Sequence, residues 1–278
     1  MPDYNISSAE EENRRLEQGT EVVRTYMDGK VFLAPVDTTR SGLKVLDSAA
    51  SNGYWLSQFQ AALQDPGSAT LIGTDIQDRF PDPPRPGVAM RIQDINAPWP
   101  AEWKGTFDFA HQTLVLFQAG PGLREVLTAF AELVKPGGWI ELMEPNYTAP
   151  EIEIEHGPAH TQFLDMLGEL WALRNTQSDF AAGLEAILRD AGFVDVKSVL
   201  LPVGFGAAHR DPELREVSVE SIMGGAKNME LAGKMIPGGL KCISKEDFDT
   251  WPARFEEELR SRGATMPMRV VYGRKPEA

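Results

Sequence analysis

The stretch Lys44-Val45-Leu46-Asp47-Ser48-Ala49-Ala50-Ser51-Asn52-Gly53-Tyr54-Trp55-Leu56 decides the fold. Its first half is short, apolar and β-prone, and it ends on a carboxylate. Small and turn-forming residues follow, from Ser48 to Gly53, and then a helical pattern begins. Strand, tight turn, helix is how a doubly wound α/β sheet opens a ligand crevice at the carboxyl ends of its strands. Small side chains let a ligand approach the backbone there, and the first turn of a helix offers free N–H groups. The same pattern also fits a buried strand that merely turns into a helix, so the rest of the chain must decide.

Downstream, strand and helix patterns alternate. Residues 69–75 read as a second strand that also ends on a carboxylate, Asp75. It follows Asp47 by about 28 residues, the region where Rossmann-type sheets place an acid for ribose hydroxyls. A Pro-rich loop precedes a third short strand, residues 88–92, which runs into Gln93-Asp94-Ile95. Residues 107–111 form a fourth strand and 123–133 its helix. Lys135-Pro136-Gly137-Gly138 is turn chemistry, and residues 139–144 are a fifth strand. Residues 145–182 break the alternation with an amphipathic helix at 161–173. Residues 183–191 and 193–202 return to the core as helix and strand. A second helical insertion spans 212–231. A last core helix, 248–262, and a last strand, 266–272, complete the pattern, the strand expected as an antiparallel edge partner. Upstream, two helices are expected: 7–19, capped by Ser7 or Ser8, and 21–27. Such alternation implies an α/β fold with a mostly parallel sheet and right-handed crossovers.

Composition narrows the function. The chain has 278 residues and a formal net charge of -14, which repels a phosphate backbone, so nucleic acid is not an expected partner. The one cysteine, Cys242, excludes an internal disulfide framework and a Cys-based zinc site within one chain. No apolar run approaches the ~20 residues that span a bilayer. The polar, acidic N-terminus is unlike a targeting leader, so a cytoplasmic address is expected, with no membrane contact. There is no G-x-S-x-G and no H-E-x-x-H, and no metal is expected.

Taken together, VLDSAASNG at 45–53, TDIQ at 74–77, QDINAPWP at 93–100, FDFAHQ at 107–112 and LVKPGGWIELMEPN at 133–146 resemble the class I S-adenosylmethionine-dependent methyltransferases. More narrowly, the chain is similar to the fungal secondary-metabolite branch that includes LaeA-like proteins. That branch has a segment matching Leu33-Ala34-Pro35 and a late stretch matching Gly192-Phe193 with Leu201-Pro202-Val203-Gly204. The broader family prefers glycine where this chain has Ala49 and Ser51. The resemblance implies a Rossmann-like, doubly wound, seven-stranded sheet, mostly parallel with an antiparallel last strand, plus N-terminal helices and helical cap insertions. It implies residues 1–40 as a helical extension that either lids the crevice or packs outside the sheet. Residues 41–278 would form the methyltransferase domain, with acceptor-pocket insertions at about 145–182 and 205–240.

The resemblance also assigns roles. Asp47, Ser48, Ala49 and the backbone to Gly53 would hold the methionyl part of S-adenosylmethionine. Asp75 would take the ribose, and Ile76 would pack on adenine. Asp94 and Ile95 would meet the adenine amino group and face. His111 and Gln112 would lie nearest the sulfonium and the acceptor, with His111 the candidate base. A structural histidine bonded to a neighbouring loop is the competing reading for His111, and a buried turn residue for Asp47. Tyr26, Met27, Tyr147, Phe163 and Trp171 are the candidate acceptor contacts, although an ordinary helical core accounts for such residues singly. His156, His160 and His209 lie in the insertions, and Glu151, Glu153 and Glu155 alternate with isoleucines on an expected solvent face. The expected activity is methyl transfer to an oxygen or nitrogen of a small-molecule acceptor by a monomer or homodimer. A LaeA-like regulator acting through protein partners and a methyltransferase-fold pericyclase remain as alternatives.

Overall fold

The computed structural model describes residues 9–277 apart from 79, 82–84, 150 and 153–156. The Ser7/Ser8 cap and residues Glu153, Glu155 and His156 therefore lie outside the described residues. The chain forms two compact units. One holds residues 29–145, 179–201 and 268 onward and carries the sheet. The other holds residues up to 28, 146–178 and 202–267 and is mainly helical.

The sheet contains β1 (Lys44–Ser48), β2 (Thr70–Asp75), β3 (Val88–Ile92), β4 (Phe107–Thr113), β5 (Val134–Pro145), β6 (Val194–Phe205) and β7 (Ala264–Arg274) in the order β3-β2-β1-β4-β5-β7-β6. β1 to β5 pair in parallel, and β7 runs antiparallel to β5. Parallel strands are buried on both faces, which is why Val45, Leu46, Phe107, Phe109 and Ala110 have almost no exposure. The helices α2 (Tyr54–Ala61), α3 (Leu123–Ala131) and α5 (Leu184–Asp190) belong to the same unit. Strand order reverses between β1 and β4, so the switch point of the sheet lies at the carboxyl end of β1.

Three elements differ from the sequence reading. β7 is antiparallel as expected but is not at the edge; β6 is. Burial explains this, since β7 is covered along nearly all its length, whereas β6 exposes much of its first half. The Lys135–Gly138 turn is absorbed into β5 as an irregularity. Phe107 pairs with Val134 and Phe109 with Trp139, so the intervening residues bulge, with Gly137 at φ 77. The two expected N-terminal helices are one, α1 (Ala9–Tyr26). Gly19 sits inside it, where a Cβ would crowd the Ser221 hydroxyl at 3.2 Å.

In the helical unit, α1 is joined by α4 (Pro158–Ala172), α6 (Arg215–Lys234) and α7 (Lys245–Ser261). The last core helix of the sequence reading is α7. Phe248, Trp251, Phe255 and Leu259 join Phe163, Met166, Ile222 and Met266 in one apolar cluster. Ser244 caps α7 by accepting from Asp247 N at 3.0 Å. Glu258 caps α4 from across the unit, accepting from Ala159 N and His160 N at 3.0 Å each.

Candidate active site

The turn after β1 is built on left-handed backbone. Ala49, Ser51 and Gly53 have φ of 58, 49 and 74, so the chain coils tightly before α2 begins. It is tied to β2 and the residue that ends it. Ala50 N donates to Thr74 O at 2.7 Å, and Ser51 N donates to Asp75 Oδ2 at 2.9 Å. Asp75 Oδ1 accepts from Gln77 N at 3.0 Å. Each carboxylate oxygen keeps a lone pair for a further donor. Beside it Ile76 is 62 % exposed, a large apolar side chain left on the surface at a strand end. After β3, Gln93 N donates to Asp75 O at 2.8 Å, and Asp94 Oδ1 accepts from Asn96 N at 2.9 Å. Asp47, Ser48, Ala49, Gly53, Asp75, Ile76, Asp94, Ile95 and Gln112 therefore gather along the carboxyl ends of β1 to β4.

His111 is fixed on every side. Strand register sets Asp47 opposite His111 and His111 opposite Glu141. His111 Nδ1 lies 2.8 Å from Asp47 Oδ1, and Nε2 lies 3.2 Å from Thr113 Oγ1. Trp55 lies flat on the imidazole, with centroids 3.8 Å apart and planes within 1°. Glu141 accepts from Leu33 N at 2.8 Å and Ala34 N at 2.6 Å. Burial pushes both the Asp47 and the Glu141 carboxyl above the usual range, opposed in each case by the neighbouring His111. A ring held this way positions Asp47; it is not presented as a free base.

Gln112, the next residue, faces Ser48. Its Nε2 donates to Ser48 Oγ at 3.0 Å, and its Oε1 is a buried acceptor with no donor. A ligand carrying an ammonium or hydroxyl group would satisfy it, because a buried acceptor left unpaired is costly. The orphaned Gln112 oxygen, the spare lone pairs of Asp75 and the exposed Ile76 suit the amino-acid, ribose and adenine parts of S-adenosylmethionine respectively.

The sequence reading missed Glu141, Glu144 and Trp55. Glu144 is fully buried, and it accepts from Val115 N at 2.9 Å and Leu116 N at 2.8 Å. Burial raises its carboxyl to about 8. The signal was present: two acids inside the apolar run Trp139-Ile140-Glu141-Leu142-Met143-Glu144 cannot both face water from a central strand.

The candidate acceptor contacts all belong to the helical unit. Tyr147 stacks on Trp171, with centroids 5.9 Å apart. Phe163 is taken up by the core between Trp251 and Phe255. Tyr26 packs edge-on to His209 and accepts from Arg210 N at 3.1 Å, and Met27 is buried. His160 is buried and stacks on Phe255. Among the described residues, no cluster of His, Cys, Asp and Glu is placed to hold a metal, and no helix is long and apolar enough to cross a membrane.

Comparison with known proteins follows the same line. The model of a methyltransferase domain family matches residues 16–198. The N-methyltransferase tcpN of Claviceps purpurea is 34 % identical over 280 residues, covering 97 % of this chain and 96 % of its own. The N-methyltransferase gliN of Aspergillus fumigatus is 30 % identical over 278 residues, covering 98 % and 96 %. Among solved structures, Haemonchus contortus phosphoethanolamine N-methyltransferase 2, in complex with S-adenosyl-L-methionine, shares the fold with a TM-score of 0.52 at 12 % identity. That match covers 95 % of this chain and 53 % of the other, longer one.

Proposed function

We propose that this chain, which belongs to the methyltransferase domain family, transfers a methyl group from S-adenosylmethionine to a nitrogen of a small secondary metabolite. The observation that carries the nitrogen is similarity along almost the whole chain, at 30 % and 34 % identity, to relatives named N-methyltransferases.

The bound cofactor supplies a methyl group already activated by a sulfonium. The chain's own residues bind, orient and exclude water. Ser48 and the left-handed turn to Gly53 hold the methionyl end, with Gln112 Oε1 as an added acceptor. Asp75 holds the ribose, Ile76 packs on the base, and Asp94 with Ile95 borders it. His111 and Trp55 keep Asp47 in place under the turn. With the cofactor held there, the acceptor nitrogen's lone pair would form the C–N bond as the S–C bond breaks, its bonding pair going to the sulfur. An amine loses its proton after the attack, so a histidine bonded on both nitrogens does not obstruct the reaction.

The test is incubation of the purified protein with S-adenosylmethionine and a panel of amines, amides and phenols. Formation of S-adenosylhomocysteine with gain of one methyl group on nitrogen, located by fragment masses, is the expected result. An O-methyl product overturns the nitrogen assignment. A protein that binds neither form of the cofactor overturns the transferase reading itself.

A further inference from the structure

We propose that Asp47, His111 and Glu141 form a buried trio with more acid than base that shifts the site's preference towards the sulfonium form of the cofactor and away from its thioether product. The inference rests on S-adenosylmethionine being the cofactor, as argued above. The three residues stand side by side across β1, β4 and β5, each in register with the next. Their exposures are 3 %, 3 % and 1 %. Two acids face one imidazole, and even a fully protonated ring balances only one carboxylate. The remaining partners of Glu141 are the neutral N–H groups of Leu33 and Ala34. Asp75 is a further carboxylate close enough to Asp47 to act on it.

Unbalanced charge is costly at such burial, and Trp55 stacked on the ring keeps water from that face. Burial raises both carboxyls in the chain alone, opposed in each case by His111, and a cation brought by a ligand favours their charged forms. A second, independent mark lies one residue on, where buried Gln112 Oε1 has no donor. Asp47 immediately precedes the turn assigned to the methionyl group, so the trio lies where a cation-bearing ligand arrives. The cofactor and its product carry the same amino-acid end and the same nucleoside. They differ by the methyl group and the sulfonium charge. Methyl transfer removes the charge that offsets the trio, and the product is held less well for that reason. His111 and Glu141 are positioning and charge-balancing residues in this scheme, because neither is assigned a direct contact with the cofactor.

Calorimetric titration of the full chain with S-adenosylmethionine, S-adenosylhomocysteine and sinefungin (an ammonium-bearing analogue without the sulfonium) tests this. In Glu141→Gln, which keeps an acceptor for Leu33 and Ala34, the two cationic ligands should lose about tenfold in affinity relative to S-adenosylhomocysteine. In His111→Gln, which removes the one base of the trio, the ratio should move the opposite way. A purely structural role would weaken all three ligands alike, and parallel loss or an unchanged ratio overturns the proposal. If Glu141→Gln fails to fold, the direction of the His111→Gln shift decides. Absence of binding by the wild-type chain to any of the three overturns the cofactor assignment instead.

Discussion

Ala49 and Ser51 hold left-handed φ values of 58 and 49, where a Cβ costs about 1–2 kcal/mol per residue. These are the two positions at which the family resemblance leads one to expect glycine. The turn keeps its shape without them because Thr74 O and the Asp75 carboxylate hold its N–H groups. Glycine relieves the strain but adds freedom to the unfolded chain, so the two effects partly cancel. Ala49→Gly and Ser51→Gly should each raise the unfolding free energy by about 0.5–1 kcal/mol in urea titrations; a loss would mean the side chains make contacts that outweigh the strain. Asp75 holds two N–H groups of neighbouring turns and is assigned the ribose. Asp75→Ala should therefore weaken S-adenosylhomocysteine at least about tenfold, as a lost pair of charged hydrogen bonds implies. Unchanged affinity would remove the ribose assignment. Asp47 and Asp75 were legible in the sequence because each ends an apolar run. The bonding of His111 and its pairing with Glu141 were not, because they depend on cross-strand register, which a linear pattern does not encode.

The end of β5 controls the turn after β4. Glu144 takes the N–H groups of Val115 and Leu116, and Leu114 just before them is held at φ 57 with 43 % exposure. Burial raises Glu144 from the usual 4.5 to about 8. Between those values the native state keeps a proton that the unfolded chain has released, so stability falls as pH rises through this window and levels off above it. Glu144→Gln keeps the neutral shape and both acceptor bonds. Its unfolding free energy should fall less steeply than that of the wild type from pH 5 to pH 8, by about 1.4 kcal/mol per unit. Parallel pH profiles would show that Glu144 is ionised in the folded protein. At this scale the first four strands were legible from apolar runs and their turn signals. The interior place of β7 and the continuity of α1 were not. Strand order depends on which neighbours cover a strand, and Gly19 reads as a stop until the close approach of Ser221 is seen.

The alternation of strand and helix was enough to predict the sheet, because each crossover is local in sequence. The partition of the chain was not legible to the same degree. Residues up to 28, 146–178 and 202–267 share one unit. An amphipathic face, such as that of α7, says that a helix is buried but not against what. One consequence is measurable. Every residue assigned to the cofactor lies in the sheet unit, and the candidate acceptor contacts lie in the other. A ligand stabilises only what must fold to bind it, and at 100 times its dissociation constant it adds about 2.7 kcal/mol. For a chain of this size that corresponds to roughly 5–10 °C in the midpoint. Scanning calorimetry with saturating S-adenosylhomocysteine should therefore move the transition of the sheet unit upward by that amount. Where the helical unit melts as a separate transition, it should stay in place. Asp75→Ala should lose at least about half of the shift at the same ligand concentration. A shift confined to the helical unit's transition would mean that the cofactor residues were assigned to the wrong part of the chain.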